Sequence, residues 1–177
     1  YSRDGDEFRF YEINPTVEAL ARRYFYYLSG AKGKVSVVIG DGRLSLEREP
    51  IQHYDVLAVD AFSGDAIPAH LLTKQSFELY FKHLKPDGIL AIHISNKHLK
   101  LGLVVEELCK AFGVSRVLID DEKTDQEEDD EEVFGSDWAL VSTNPRSLES
   151  PEIKDAVTAL PSQTNIRVWT DDYNNIF

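Results

Sequence analysis

Short β-rich patterns alternate with helical patterns along the chain. The β-rich runs predict strands over Glu7–Ile13, Val35–Ile39, Tyr54–Asp60, Ile89–Ile94, Ser115–Ile119 and Trp138–Ser142. Apolar residues at a spacing near 3.6 predict helices over Pro15–Phe25, Leu44–Arg48, Leu71 or Thr73 to Leu84, Leu101–Phe112 and Pro151–Leu160. Strands of about five residues separated by helices predict an α/β fold with a mainly parallel sheet and helices on both faces.

Glycine and proline residues mark the predicted boundaries between these elements. Gly30–Gly33 follows the first helix, Lys85–Gly88 has the composition of a turn, and Gly113 ends the fourth helix. The stretch Ala61–Ala69 has no regular period and is predicted to be irregular. No internal repeat or linker divides the chain, so a single domain over residues 1–177 is expected.

Length and composition are compatible with one globular domain of 177 residues, of which 42% are hydrophobic. The formal net charge is −12 and no basic patch is present, so nucleic acid is not expected as a partner, whereas a cationic polyamine is compatible. Many of the carboxylates lie in residues 120–132. Their mutual repulsion predicts a solvated, mobile loop, and they lack the spacing of a calcium loop.

Several other classes of site receive no support from the sequence. Cys109 lies in a helical pattern and is predicted to be a buried apolar residue. Because it is the single cysteine of the chain, an intrachain disulfide and a cysteine metal site are excluded. No metal is expected, because metal-ligand spacing is missing among the five histidines, His53, His70, His83, His93 and His98. No apolar run has the length of a membrane span and no signal-peptide pattern is present, so this chain is expected to be soluble.

Candidate chemistry lies where three predicted strands end in an acidic residue. Glu12, Asp41 and Asp60 each follow a short β-rich run. Ligands of α/β proteins bind at the carboxyl ends of parallel strands, so the three carboxylates meet along one rim if their strands are neighbours in one sheet. His93 and Ser95-Asn96 end another predicted strand and are candidates to line the same cleft.

Each carboxylate allows a functional and a structural interpretation. Glu12 has the position of an acid that accepts both hydroxyl hydrogens of a ribose, but an acid before a helix also complements the helix dipole. Gly40-Asp41-Gly42 permits the close approach of a flat ring with an exocyclic amino group, but Asp-Gly is also a common turn. Both interpretations stay open from these residues alone.

The loop from Asp60 to Pro68 carries the sharper signal. Asp60 and Asp65 flank a small, flexible segment that would hold a cationic amine, and one carboxylate could accept a proton as the amine becomes nucleophilic. The alternative is an Asx turn at Asp60 with a second aspartate near the next helix.

The order of these motifs resembles the spermidine synthase family of aminopropyltransferases, in its divergent branch that is often fused to membrane transporter segments. The resemblance covers residues 7–145, together with the segment Trp169–Tyr173. It lies in four motifs: Tyr11–Pro15, Gly40–Arg43, Tyr54–Ser63 and Leu84–Asn96. It implies a class I methyltransferase-like, Rossmann-like fold.

The same resemblance implies roles for the site residues. Glu12 would bind the ribose of the nucleoside, and Asp41 with Gly40 would contact the adenine; Ile13 and Gly42 belong to the same implied nucleoside site. Asp60 would assist the attack of the amine, and Asp65 is a looser match to a second aspartate of that loop. The co-substrate would be decarboxylated S-adenosylmethionine or S-adenosylmethionine, with no permanently bound cofactor, and the partner a small diamine or polyamine such as putrescine.

Some family features are missing from the chain, which is therefore expected to be truncated at its amino terminus. The first strand with its glycine-rich loop and the small β-rich domain are absent, and Gly135–Trp138 replaces a family segment. Two alternatives to aminopropyl transfer stay open: a non-catalytic module that binds nucleoside or polyamine within a larger protein, and a methyltransferase that uses S-adenosylmethionine. A cytoplasmic location is expected, either for the protein or for the cytoplasmic domain of a membrane protein, and a homo-oligomer is left open.

Overall fold

A computed structural model describes residues 2–61, 67–96, 100–120, 136–158 and 166–174. Contacts within the chain group it into two compact units, Tyr1–Ile51 and Gln52–Phe177. The single-domain organisation stays a prediction. Asp65 and most of the acidic segment 120–132 lie outside the described residues.

The first unit contains a parallel strand pair. Its elements are β1 (Glu7–Glu12), α1 (Pro15–Tyr24), β2 (Lys34–Ile39) and α2 (Gly42–Arg48). The register runs from the pair Glu7 and Lys34 to the pair Glu12 and Ile39, so the two strands end side by side. Helix α1 begins because Asn14 accepts a hydrogen bond from the Thr16 N–H and Pro15 suits the first helical turn.

The second unit contains a five-stranded sheet with the order β3-β4-β6-β5-β7. Its elements are β3 (Tyr54–Val59), α3 (Lys74–His83), β4 (Leu84–His93), α4 (Leu101–Phe112), β5 (Ser115–Asp120), β6 (Asp137–Ser142), α5 (Pro151–Ala156) and β7 (Val157–Thr158), with short 3-10 turns at Ala69–Leu71 and Pro145–Leu148. Within the described residues, no helix is both long and apolar enough to cross a bilayer.

The α/β class is confirmed, and the larger sheet is mixed in strand direction rather than mainly parallel. Strands β3 and β4 are parallel, whereas β4 with β6, β5 with β6 and β5 with β7 are antiparallel. Two parallel strands need a long crossover connection, usually a helix. No helix was predicted between β5 and β6, and these two strands pair antiparallel. Strand β3, which precedes Asp60, pairs with β4. In the described sheets β1 pairs with β2, and neither of these two strands is in the sheet that contains β3.

Two predicted boundaries were wrong for local reasons. The Lys85–Gly88 turn is an irregularity inside β4: Tyr54 pairs with Leu84 but Val56 pairs with Ile89, so the extra residues lie on one strand. The last helix ends at Ala156 instead of continuing to Leu160, because Val157 and Thr158 pair with β5.

The core of the second unit lies between the sheet and helices α3 and α4. Leu90 and Ile92 of β4 and Val141 of β6 are fully buried. Phe77 of α3 stacks on Phe112 at the end of α4, with ring centroids 6.2 Å apart. Burial of each such side chain contributes about 1.5–3 kcal/mol, so this layer fixes the strands that carry the site.

The segment around Trp169 is attached to the start of α3. Trp169 is buried and its carbonyl accepts a hydrogen bond of 2.8 Å from the Lys74 N–H. The Thr73 hydroxyl, which also caps α3, donates to Asp171 Oδ1 at 2.8 Å. These bonds tie the sequence motif Trp169–Tyr173 to the helix that precedes β4.

Candidate functional site

In the first unit, Glu12 and Gly40 lie next to each other at the ends of paired strands. The Gly40 N–H donates to the Glu12 carbonyl at 2.9 Å, one position beyond the paired Ile39. The Glu12 carboxylate accepts the Asn14 N–H through Oε1 at 2.8 Å. The predicted nucleoside contacts Glu12, Ile13 and Gly40–Gly42 are therefore brought to one edge of this unit, where Ile13 is 70% exposed.

The Gly40–Gly42 turn is built as a helix start. Gly40 has φ of 147°, a value that side chains disfavour, and Asp41 then accepts the Leu44 N–H at 2.9 Å to cap α2. A Cβ on Gly42 would lie 3.4 Å from the Tyr11 Cβ. The structural interpretation of Asp41 as a turn residue is thus observed, and its contact with adenine stays a prediction.

A shallow pocket of about 80 Å³ opens beside Glu12 in the same unit. Phe10 and Tyr27 meet edge to face there, with centroids 6.3 Å apart. The pocket combines apolar and aromatic walls with two carboxylates, and its lining consists of Phe10, Tyr11, Glu12, Val17, Glu18, Ala21, Tyr27, Leu28 and Val37.

In the second unit, Asp60 and His93 meet at the carboxyl ends of β3 and β4. Val59 pairs with Ile92, so the next residue of each strand faces the other. His93 Nδ1 lies 2.8 Å from Asp60 Oδ1, and His93 Nε2 lies 2.9 Å from Ser95 Oγ. The Asp60 side chain is 57% exposed, whereas that of His93 is 22% exposed.

Strand β6 supports this pair from the far side of β4. Trp138 pairs with His93 in the antiparallel register, and its ring stacks on the imidazole at a centroid distance of 4.9 Å and an interplanar angle of 21°. The backbone N–H of Asp137 donates to Ser95 Oγ at 2.6 Å. Sequence reasoning placed His93 and Ser95 at the cleft but missed their connection to Asp60, because the order of the strands was needed to find it.

The predicted site residues are thus distributed over both units. Glu12, Ile13 and Gly40–Gly42 belong to the first unit, and Asp60 belongs to the second. Asp65 lies outside the described residues. Among the residues that are described, no group of three histidine, cysteine or acidic side chains is arranged to hold a metal ion.

Sequence comparison relates the chain to enzymes named for polyamines. It is 36% identical over 81 residues to a polyamine aminopropyltransferase from Vibrio vulnificus, an alignment that covers 45% of this chain and 26% of that protein. It is 25% identical over 95 residues to putrescine N-methyltransferase 2 of Nicotiana tabacum, covering 52% of this chain and 27% of that enzyme. No protein-family model matches the chain.

Structural comparison finds the same kind of relative. Spermidine synthase from Thermotoga maritima has a TM-score of 0.59 and 14% identity, over 93% of this chain and 54% of that one. A spermidine synthase in complex with the transition-state analogue AdoDATO has a TM-score of 0.63 and 14% identity, over 93% and 55%. The chain therefore spans about half the length of these structures and about a quarter of the curated relatives. Human methyltransferase-like protein 13 also has this fold, with a TM-score of 0.58 and 15% identity over 93% of this chain and 77% of that one. Together the comparisons confirm the resemblance to the spermidine synthase family and the class I methyltransferase-like fold.

Proposed function

We propose that this protein transfers an aminopropyl group from decarboxylated S-adenosylmethionine to a diamine such as putrescine. The observation that carries the proposal is the exposed carboxylate of Asp60, held by His93 at the end of β3 in a chain similar to a polyamine aminopropyltransferase. An anionic oxygen at a strand end suits a primary ammonium, which is protonated at neutral pH and must lose a proton before it can attack.

The proposed reaction needs little covalent chemistry from the protein. The ammonium gives a proton to Asp60, the resulting amine attacks the aminopropyl carbon beside the sulfonium, and the carbon–sulfur bond breaks to leave the thioether methylthioadenosine. The secondary amine product keeps a positive charge, so one proton is released to solvent. Because the sulfonium is already a good leaving group, positioning and proton acceptance supply most of the acceleration.

Nucleoside binding is proposed for the edge of the first unit. Glu12 would accept both ribose hydroxyls in a charge-assisted pair, Ile13 would pack beside the sugar, and the Gly40–Gly42 turn would face the adenine. The spermidine synthase that binds AdoDATO supports a co-substrate of the S-adenosylmethionine type. Asp65, as a second carboxylate for the amine, stays part of the proposal, as does a cytoplasmic location.

A second candidate is methyl transfer from S-adenosylmethionine to putrescine, which the similarity to putrescine N-methyltransferase favours. Both candidates use the same amine, the same proton acceptor and a sulfonium donor. They differ in which carbon beside the sulfur is attacked, so the donor that supports turnover distinguishes them.

The test combines calorimetry and product analysis with decarboxylated S-adenosylmethionine, S-adenosylmethionine, methylthioadenosine and putrescine. We expect product from decarboxylated donor and putrescine together, with turnover reduced about 100- to 10,000-fold in Asp60→Asn. Asp55→Asn is the matched control, since Asp55 lies on the same strand, is 81% exposed and pairs with Lys85. Binding without turnover would favour the non-catalytic module, and a chain that binds none of these nucleosides would overturn the proposal.

The nucleoside site is tested separately with Glu12→Gln. Replacing the carboxylate by an amide removes one charge-assisted acceptor, and we expect nucleoside affinity to fall about 10- to 100-fold. Glu7→Gln is the control, because Glu7 begins the same strand and is 73% exposed beside Lys34. Equal affinity in both variants would remove Glu12 from the proposed site.

A further inference from the structure

We propose that His93 is the positioning residue of Asp60: it binds Oδ1 of the carboxylate and so directs Oδ2 to the amine. The inference rests on the proposed function for its link to turnover, and on the geometry of the second unit for the pairing itself. No role for this histidine follows from the aminopropyl transfer chemistry alone.

The hydrogen-bond chain around His93 selects one tautomer of the imidazole. A carboxylate only accepts hydrogen bonds, so the nitrogen at 2.8 Å from Asp60 must carry the hydrogen, and Nδ1–H donates to Oδ1. In the neutral ring Nε2 is then an acceptor, and the hydroxyl hydrogen of Ser95 donates to it at 2.9 Å. The Ser95 oxygen in turn accepts the N–H of Asp137, which belongs to the backbone of β6.

The imidazole itself is held by packing. Trp138 stacks on its face and both residues lie on hydrogen-bonded strands, so the ring has a fixed plane. The Asp60 side chain, in contrast, is more than half exposed and follows the last residue of its strand. A rigid donor on Oδ1 therefore fixes the direction of a carboxylate that solvent would otherwise leave free to rotate.

Two substitutions separate the bonds that His93 makes. The side-chain nitrogen of asparagine takes the place of Nδ1, so His93→Asn keeps the donor to Asp60. The amide of glutamine reaches the place of Nε2, where its oxygen can accept the Ser95 hydroxyl hydrogen, so His93→Gln keeps a partner for Ser95 but has no donor at the place of Nδ1. Both variants lose the stacking on Trp138, and that loss cancels in the comparison. His70→Gln is the control, since His70 is an exposed histidine of the same unit.

Kinetics of these variants give the first test. We expect kcat of His93→Asn to stay within about threefold of the parent protein and kcat of His93→Gln to fall about 100-fold, the loss typical of a small misplacement. In an Asp60→Asn background, His93→Gln should cause no further loss, because a residue that acts through Asp60 has nothing left to position. Additive losses, or equal losses in the Asn and Gln variants, would overturn the proposal.

A spectroscopic test stands apart from activity. In the long-range ¹H–¹⁵N spectrum, the His93 ring, assigned by its absence in His93→Asn, should show hydrogen on Nδ1, and Asp60→Ala should abolish this preference. Hydrogen on Nε2 in the parent protein would refute the pairing even if aminopropyl transfer is observed. If no product forms, putrescine affinity replaces kcat: the Asn variant should retain it and the Gln variant should lose it, and equal affinity would refute the positioning role.

Discussion

Glu106 of α4 forms a buried ion pair whose removal should destabilise the second unit. The carboxylate is 4% exposed and accepts two hydrogen bonds from the guanidinium of Arg116, which is 24% exposed. Lys110, one helical turn away, approaches Oε1 at 3.3 Å. Glu106→Gln keeps the shape of the side chain but replaces one acceptor by a donor that faces the guanidinium.

The size of the effect follows from these exposures. Removing one partner of a buried pair costs about 3–5 kcal/mol, because the other charge is left uncompensated. Arg116 retains some contact with water, so we expect the lower end, about 3 kcal/mol, for Glu106→Gln. In a protein of this length that corresponds to a fall in Tm of about 6–12 °C.

Urea unfolding followed by tryptophan fluorescence measures the prediction. Both tryptophans, Trp138 and Trp169, belong to the second unit, so the signal reports on the unit that contains the pair. Glu149→Gln is the matched control: its pair with Lys154 spans 3.9 Å with both side chains more than half exposed, and a change within about 0.5 kcal/mol is expected. Equal destabilisation by the Glu106 and Glu149 variants would refute the reasoning.

The remaining predictions concern a thiol and two glycines. Burial raises the pKa of Cys109 to about 12, above that of the exposed thiol, so the unfolded state ionises first and stability should fall as pH rises from about 9 to 12. Cys109→Ala should flatten this alkaline limb, and a native thiol that reacts with a disulfide reagent as fast as in urea would contradict the burial. Gly88→Ala should destabilise by about 1–3 kcal/mol, since a Cβ would lie 2.9 Å from the Tyr54 carbonyl oxygen. At Gly102 in α4 a Cβ would meet no atom of the described residues closer than 3.5 Å, so Gly102→Ala should stabilise by about 0.5–1 kcal/mol. Unfolding curves that show the same sign for both glycine variants would refute this comparison.

The sequence predicted the elements with strong periodic patterns and missed those that depend on distant partners. Helix α4 was predicted over Leu101–Phe112, the range observed, because its apolar stripe is long and Gly113 ends it in a left-handed conformation. Strand β7 has two residues and exists only because it pairs with β5, so no local sequence pattern predicts it. The start of β4 at Leu84 was not predicted, because the proline and glycine that follow, Pro86 and Gly88, are typical of a turn.

For the candidate site, sequence reasoning identified side chains but not their partners. Asp60 was found from its place after an apolar run, a local property. Its bond to His93 depends on β3 and β4 being neighbours, and the support from Trp138 depends on β6 lying beside β4 in the opposite direction. These are facts of strand order, which a single sequence with an undivided α/β pattern does not determine.

The two candidate regions follow one geometric rule. In the described residues, β1 with β2 and β3 with β4 are the parallel pairs, and each pair ends with its strands in register. In the second unit the residues after the last pair, Asp60 and His93, lie side by side. In the first unit Glu12 belongs to the last pair, and the N–H of Gly40, one position beyond Ile39, donates to its carbonyl. The antiparallel strand β6 begins at the edge where β4 ends, so Trp138 lies beside His93 and stacks on its ring. Parallel pairing therefore brings together the groups proposed to bind and react, and the antiparallel strand β6 holds His93 rigidly. Shifting the β3–β4 register by one residue would separate Asp60 from His93 and direct the histidine to the opposite face of the sheet.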